Sequence, residues 1–141
     1  MNDKRLNIAF EPDFKNVDKT MVAISNLCLD VFKNPESKHL IEDFCLAATE
    51  SMNNAVKHSG AKLIEVELFF NGREAFFRIK TEGGKFDSAL KRLMPALNDT
   101  DELPERGFGL AIIQELVDGI DYEYSDNRNV LTLRKVVLNK K

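Results

Sequence analysis

Asn71-Gly72 stands between two runs of alternating character and commits the middle of the chain to a hairpin. Ile64, Val66, Leu68 and Phe70 alternate with Leu63, Glu65, Glu67 and Phe69 on one side; Ala75, Phe77 and Ile79 carry the return. A period of two lays every second side chain on one face of a strand, and Asn-Gly between two such runs is the strongest short hairpin signal a sequence offers. Any fold for this chain must therefore hold an antiparallel pair at its centre.

On both sides of that pair the period changes. Leu6, Ile8 and Phe10 read as a short strand, broken by Glu11-Pro12-Asp13. Val17, Met21, Ile24, Cys28 and Val31 then recur at spacings of three and four, an amphipathic helix ending near Asn34-Pro35. Ser37 is placed to cap a second helix over Lys38–His58, with Gly60 as its stop signal. Its apolar stripe is Ile41, Cys45, Ala48, Met52 and Ala55; Asp43, Ala47, Glu50, Asn54 and Lys57 fall on the far side, with Leu46 close by. Leu46 and Ala47 suggest that something covers that side.

Beyond the hairpin, Ser88 to Glu105 is irregular. Leu90, Leu93, Met94 and Leu97 hint at a short helix broken by Pro95, and the region is the natural place for a mobile lid. Leu110, Ile113, Leu116, Val117 and Ile120 mark a third helix starting near Gly107 or Gly109. Two more strands, Tyr122 to Ser125 and Val130 to Val137, are joined by Asp126-Asn127-Arg128-Asn129. Hairpin-linked strands with helices between them predict one α/β domain over 1–141, a two-layer sandwich. Its sheet is mixed and mostly antiparallel, with the helices on one face.

At 141 residues the chain is long enough to bury a core without staples. A net charge of −3 gives no electrostatic reason to expect nucleic acid or an anionic membrane. Met1 to Phe10 carries no apolar signal segment, and no run approaches the ~20 apolar residues of a membrane span, so a cytoplasmic protein is expected. Cys28 and Cys45 fall at apolar helix positions and read as reduced core thiols.

Three stretches carry chemistry. Glu50 and Asn54, four apart on a helix, stack one turn above the other. The carboxylate can take a proton from a hydroxyl, and the amide oxygen is a hard ligand suited to hydrated Mg²⁺. Thr81-Glu82-Gly83-Gly84-Lys85-Phe86-Asp87 ends a strand with two glycines that let a ligand approach the backbone closely. Arg106-Gly107-Phe108-Gly109-Leu110 opens a helix with exposed N–H groups at the positive end of its dipole, which suits phosphate; Arg106 adds a charged fork. Each has a plainer reading: a solvated helix face, a strand-ending turn, and a glycine-rich helix entry packed on the sheet.

Taken together and in this order, they resemble the GHKL ATPase superfamily of histidine kinases and gyrase-type ATPases. Within it the chain looks most like the small anti-sigma-factor serine kinases of bacterial partner switching. Glu50-x-x-x-Asn54-Ala55-x-x-His58 resembles the N box, Thr81-x-Gly83-x-x-Phe86-Asp87 the first glycine box, and Arg106-Gly107-x-Gly109-Leu110-x-Ile112 the second. The resemblance implies a Bergerat-type ATP-binding fold, with Glu50 as general base toward an acceptor serine and Asn54 as ligand to Mg²⁺. Thr81 and Gly83 would lie at the adenine, Arg106, Gly107, Gly109 and Leu110 at the phosphates, and Thr132 near the base; His58 would close the helix. It further implies an anti-sigma-factor antagonist domain as substrate, a sigma factor as partner and a homodimer. With the first helix beginning by Val17, the phosphoacceptor domain of a histidine kinase is not expected ahead of this module.

One position departs from the pattern. Where the family carries an aspartate that reads the adenine amino group, this chain has Thr81. Sliding the register to Glu82 keeps a carboxylate but sets Asp87 where the apolar residue belongs, so Thr81 is preferred. Losing a charge-assisted hydrogen bond costs about 1–3 kcal/mol. Nucleotide binding is therefore expected to be weaker or less selective for adenine, with Glu82 available to swing in. A non-catalytic protein of the same fold that sequesters its partner is the alternative to a kinase, and a domain with no nucleotide site is the third reading.

Overall fold

The structure, a computed structural model, describes residues 4–83 and 108–138, with 108–111 described by their backbone. The elements run β1 (Leu6–Phe10), α1 (Phe14–Val31), a 3₁₀ turn (Pro35–Ser37), α2 (Lys38–His58), β2 (Ile64–Phe70), β3 (Glu74–Glu82), α3 (Phe108–Leu116), β4 (Gly119–Ser125) and β5 (Arg128–Val136). The strands form one five-stranded sheet in the order β1-β2-β3-β5-β4, and all four pairings are antiparallel. The expected mostly antiparallel sheet is antiparallel throughout its described strands.

Alternation builds the two layers. Ile64, Val66 and Leu68 of β2, and Ala75, Phe77, Ile79 and Thr81 of β3, are buried on the side the helices cover. Val17, Thr20, Ile24 and Cys28 are the buried face of α1. The Asp13 side chain starts that helix by accepting a hydrogen bond from the Lys15 N–H at 2.9 Å.

The buried face of α2 is wider than one stripe: Ile41, Phe44, Ala47, Ala48, Ser51, Met52 and Ala55. The reason is position, since α2 packs against α1 and α3 as well as the sheet. Ala47, which its helical phase places beside Glu50, is fully buried, whereas Leu46 remains 47% exposed. Cys45, expected in the core stripe, is half-buried. It shares a thiol hydrogen bond with Cys28, and that bond together with burial raises the Cys28 thiol above its ordinary value.

One local expectation is corrected. Ser37 precedes α2 but makes no capping hydrogen bond, because the Pro35–Ser37 turn already places it in a helical conformation; its hydroxyl is buried without a partner. Asn34 does the capping one turn earlier, accepting from the Glu36 N–H at 2.9 Å. The hairpin expected at Asn71-Gly72 forms. Gly72-Arg73 is the two-residue loop, and the Asn71 side-chain oxygen holds it by accepting from the N–H groups of Arg73 and Glu74. A left-handed pair occurs at the β4–β5 loop, where Asp126 and Asn127 sit at φ 54° and 62°, as a type I′ hairpin requires.

Candidate functional site

Connectivity brings the functional stretches to one end of the sandwich. The C-terminus of α2 runs through Ser59–Leu63 into Ile64, which pairs with Thr81 at the end of β3. Gly83 follows directly, and a Cβ added there would stand 4.0 Å from the Ser59 carbonyl oxygen. The strand end carrying Thr81 and Gly83 therefore lies against the end of the helix that carries Glu50 and Asn54. Helix α3 leads into Gly119, which pairs with Arg134 near the opposite end of the sheet. Its first turn carries Gly109 and Leu110, and the N–H groups of a helix's first turn favour an anion.

Glu50 and Asn54 are both half-buried, and neither makes a hydrogen bond or ion pair with a described residue. A carboxylate and an amide one turn apart, partly desolvated and uncommitted within the described structure, can act on a ligand. Among the described residues no three His, Cys, Asp or Glu side chains gather as a metal cage. This donor set fits Mg²⁺ carried in by phosphates and retaining waters, with the Asn54 amide oxygen as a protein ligand, rather than a metal held by the protein alone. His58 is exposed in the last turn of α2, where with Lys57 it complements the helix dipole.

Thr81 is buried, 4% exposed, on the helix-facing side of the sheet. Glu82, one residue on, has the opposite parity: it is exposed on the other face, directly across from Arg128. The sheet thus presents the threonine, not the glutamate, to the helix layer, and a swing of Glu82 into the site would require turning the strand end over. Thr132 is also corrected. It pairs with Arg78 on the open face, accepts a hydrogen bond from the Arg78 Nε at 3.2 Å, and helps line a cleft of about 480 Å³ with Phe69, Phe76 and Asp121. That cleft is on the far side of the sheet from Glu50.

The residue beside Thr81 is Asn129, which sequence reading placed in a loop. It pairs with Thr81 in register, is 3% exposed, and accepts a hydrogen bond from the Tyr122 hydroxyl. Tyr124, its neighbour on β4, donates to the Gly83 carbonyl at 3.2 Å, and the Gly83 N–H donates to the Asn127 carbonyl at 2.9 Å. A buried polar cluster therefore sits at the strand ends around Thr81. Its sequence signal was the alternation of Tyr122 and Tyr124, extended across a left-handed Asp126-Asn127 turn to Asn129. Gly84, Phe86, Asp87, the Ser88–Glu105 stretch expected as a lid, Arg106 and Gly107 lie outside the described residues.

The sequence model of the histidine kinase-like ATPase domain matches residues 14–135. The chain belongs to that family. No curated protein sequence matches it. Among solved structures it is similar to the RsbU and RsbW domains of Rv1364c from Mycobacterium tuberculosis, with a TM-score of 0.61 and 16% identity over 95% of this chain. It is also similar to the histidine kinase AdeS of Acinetobacter baumannii, with a TM-score of 0.53 and again 16% identity over 95% of the chain. The chain spans 32% of the first structure and 68% of the second. At this identity the likeness is one of fold. No helix among the described residues is long and apolar enough to cross a membrane.

Proposed function

We propose that the chain is an ATP- and Mg²⁺-dependent serine kinase that acts as an anti-sigma factor. It would phosphorylate a serine on an antagonist domain and hold or release a sigma factor accordingly, working as a cytoplasmic homodimer. The carrying observation is the placement of Glu50 and Asn54. They are half-buried and uncommitted among the described residues, on the helix whose end meets Gly83. Membership of the histidine kinase-like ATPase family supports the nucleotide, and the three motifs in order support the serine-kinase branch.

In this reading the phosphates lie at the N-terminal end of α3, on Gly107, Gly109 and Leu110 with Arg106 beside them, and the base lies at Thr81 and Gly83. Asn54 would hold Mg²⁺, and the chemistry the ion would supply there is neutralisation of phosphate charge. Glu50 would accept the proton of the serine hydroxyl as its oxygen bonds to the terminal phosphorus and the bond from that phosphorus to the bridging oxygen breaks, releasing ADP. A sequestering protein without transfer activity is the second reading. The observation favouring it is that the described helix-facing side of the sheet presents no carboxylate at the Thr81 end.

Glu50→Gln separates the two. The change is isosteric at a position with no described partner, so folding and Mg·ATP affinity are expected to stay within about threefold of wild type, consistent with surface changes of roughly ±0.5 kcal/mol. Phosphoryl transfer from labelled ATP to candidate antagonist domains is expected to fall about 10²–10⁴-fold, the usual contribution of a general base. Equal transfer by both proteins would remove Glu50 from the chemistry.

A further inference from the structure

The two cysteines meet at the seam between α1 and α2, which pack side by side. Both read as core thiols from the sequence, and phosphoryl transfer uses neither. Cys28, in the last turn of α1, is completely buried. Cys45, in the second turn of α2, keeps part of its surface in solvent. Their backbones are held in place. The Cys28 carbonyl accepts from the Phe32 N–H at 2.9 Å, which ends α1, and the Cys45 carbonyl accepts from the Thr49 hydroxyl at 2.9 Å.

The pair is chemically unequal. The Cys28 thiol donates its hydrogen bond to the Cys45 sulfur, so Cys28 keeps its proton and Cys45 carries negative charge more readily. Ser25, one turn before Cys28 on α1, is a second hydrogen-bond donor to the same sulfur. Burial and the charge of Glu42, one turn before Cys45 on α2, work against these, and the balance holds the Cys45 thiol below its ordinary value. The thiolate, not the thiol, is the nucleophile, and oxidation follows thiolate character and exposure. Cys45 has both, with a second thiol directly beneath it. A cysteine that only fills a core needs neither hydrogen-bond donors nor an opening to solvent.

We propose that Cys45 is an oxidation site and Cys28 its resolving thiol, so that a hydroperoxide converts the pair to an intramolecular disulfide tying α1 to α2. The Cys45 thiolate attacks one oxygen of hydrogen peroxide. A sulfur–oxygen bond forms, the oxygen–oxygen bond breaks, and the leaving hydroxide takes a proton to become water; the sulfur is oxidised to a sulfenic acid and the peroxide reduced. The Cys28 sulfur then attacks the Cys45 sulfur. The sulfur–sulfur bond forms, the sulfur–oxygen bond breaks, and the hydroxide leaves with the Cys28 proton as a second water.

The bond closes the loop from Cys28 to Cys45 and ties α1 to the helix that carries Glu50 and Asn54 further along. Closing a loop of this length restricts the unfolded chain, and the oxidised protein is expected to melt about 5–10 °C above the reduced one. The proposal stands apart from the nucleotide reading, since it uses no residue of that site.

The test is exposure of the reduced full chain to hydrogen peroxide under native conditions, read by non-reducing peptide mapping and by melting curves. A Cys28–Cys45 link within one chain is expected, with the rise in melting temperature, and dithiothreitol is expected to reverse both. In Cys28→Ala the reaction is expected to stop at the sulfenic acid, trapped on Cys45 by dimedone. In Cys45→Ala the buried Cys28 is expected to stay unmodified while the protein is folded. Melting curves show whether each variant is folded, and mapping of wild type decides the matter alone if either is not. Three results overturn the proposal. If folded wild type gives no Cys28–Cys45 link within one chain, the two thiols are not a redox pair. If the link forms but lowers the melting temperature, the helices do not hold the sulfurs poised for the bond. If Cys28 in folded Cys45→Ala is oxidised as fast as Cys45 in Cys28→Ala, Cys45 is not the reactive thiol.

Discussion

Replacing Gly83 by alanine tests the strand end on which the site depends. Gly83 sits at φ +143°, a region open to glycine and strained for any residue with a Cβ. Space is not the obstacle, because the added methyl would meet only the Ser59 carbonyl oxygen, at 4.0 Å. If the backbone holds, the variant bears a strain of about 1–3 kcal/mol, reduced by the roughly 0.4–1 kcal/mol that alanine gains by restricting the unfolded chain. If the backbone relaxes instead, the Gly83 N–H leaves the Asn127 carbonyl and the Tyr124 hydroxyl leaves the Gly83 carbonyl. Two hydrogen bonds at about 1 kcal/mol each give a similar loss. The two routes give about 1.3 and 2 kcal/mol, which for a domain of this size lowers the melting temperature by about 5–7 °C.

Gly60→Ala is the control. Gly60 also has positive φ, but at +67° it lies in the left-handed helical region, and nothing stands within 4 Å of its added methyl. Alanine costs about 1–2 kcal/mol there, partly offset by the same unfolded-state gain, so a fall of only about 3 °C is expected. Thermal melts of the two variants beside wild type decide the matter. A Gly83→Ala protein melting within 2 °C of wild type, or no lower than Gly60→Ala, would refute the strained, hydrogen-bonded strand end.

Ser37→Ala removes a buried hydroxyl that has no partner and gives up no cap, so it is expected to raise stability by up to about 1 kcal/mol in denaturant titration; a loss of stability would show that the hydroxyl is engaged. Glu74 accepts from the Asn71 amide at 2.7 Å and pairs with Arg134 at 2.6 Å, and these hold its carboxyl below the usual range. A lowered folded-state value means stability that is complete above the ordinary glutamate pKa of about 4.3 and lost as pH falls through the folded value. The advantage of wild type over Glu74→Gln should therefore shrink on acidification below pH 4; a gap that widens there would contradict the assignment.

How much of this was legible in the sequence varied with the physics involved. Strand and helix identities followed from period because each element has one buried side: Val66 and Phe77, Ile24 and Cys28 are where alternation and helical spacing place them. The width of the α2 core face was only partly legible, since it depends on neighbours on both flanks: Leu46 and Ala47 both suggested a covered side, but only Ala47 is buried. The hairpin at Asn71-Gly72 was legible, but the way it is held was not. Asn71 can serve a turn through its backbone or its side chain, and it uses the side chain. Asn129 was missed because reading Asp126 to Asn129 as loop leaves the first two residues of β5 out of the strand, and with them the register that pairs Asn129 with Thr81; Thr132 was placed by resemblance alone.

That pairing also bears on why Glu50 and Asn54 are carried by α2. The helix is immobilised along its length by Phe44, Ala48, Met52 and Ala55 beneath and by α1 and α3 beside it. Its small residues matter as much as its large ones. Ala47, Ala48, Ser51 and Ala55 let neighbouring backbones come close, and the Ser51 hydroxyl is satisfied within the helix by the Ala47 carbonyl at 2.9 Å. A polar side chain one turn from such positions inherits their precision: Glu50 lies between Ala47 and Ser51 on one flank and Asn54 beside Ala55 on the next turn. The sheet end is fixed separately, by the Gly83–Asn127 and Tyr124–Gly83 hydrogen bonds. Glu50 and Asn54 on the helix and Thr81 and Gly83 on the strand end are thus held by different sets of contacts. On the proposed function, changes at Gly83 are accordingly expected to act on nucleotide affinity, and changes at Glu50 on transfer.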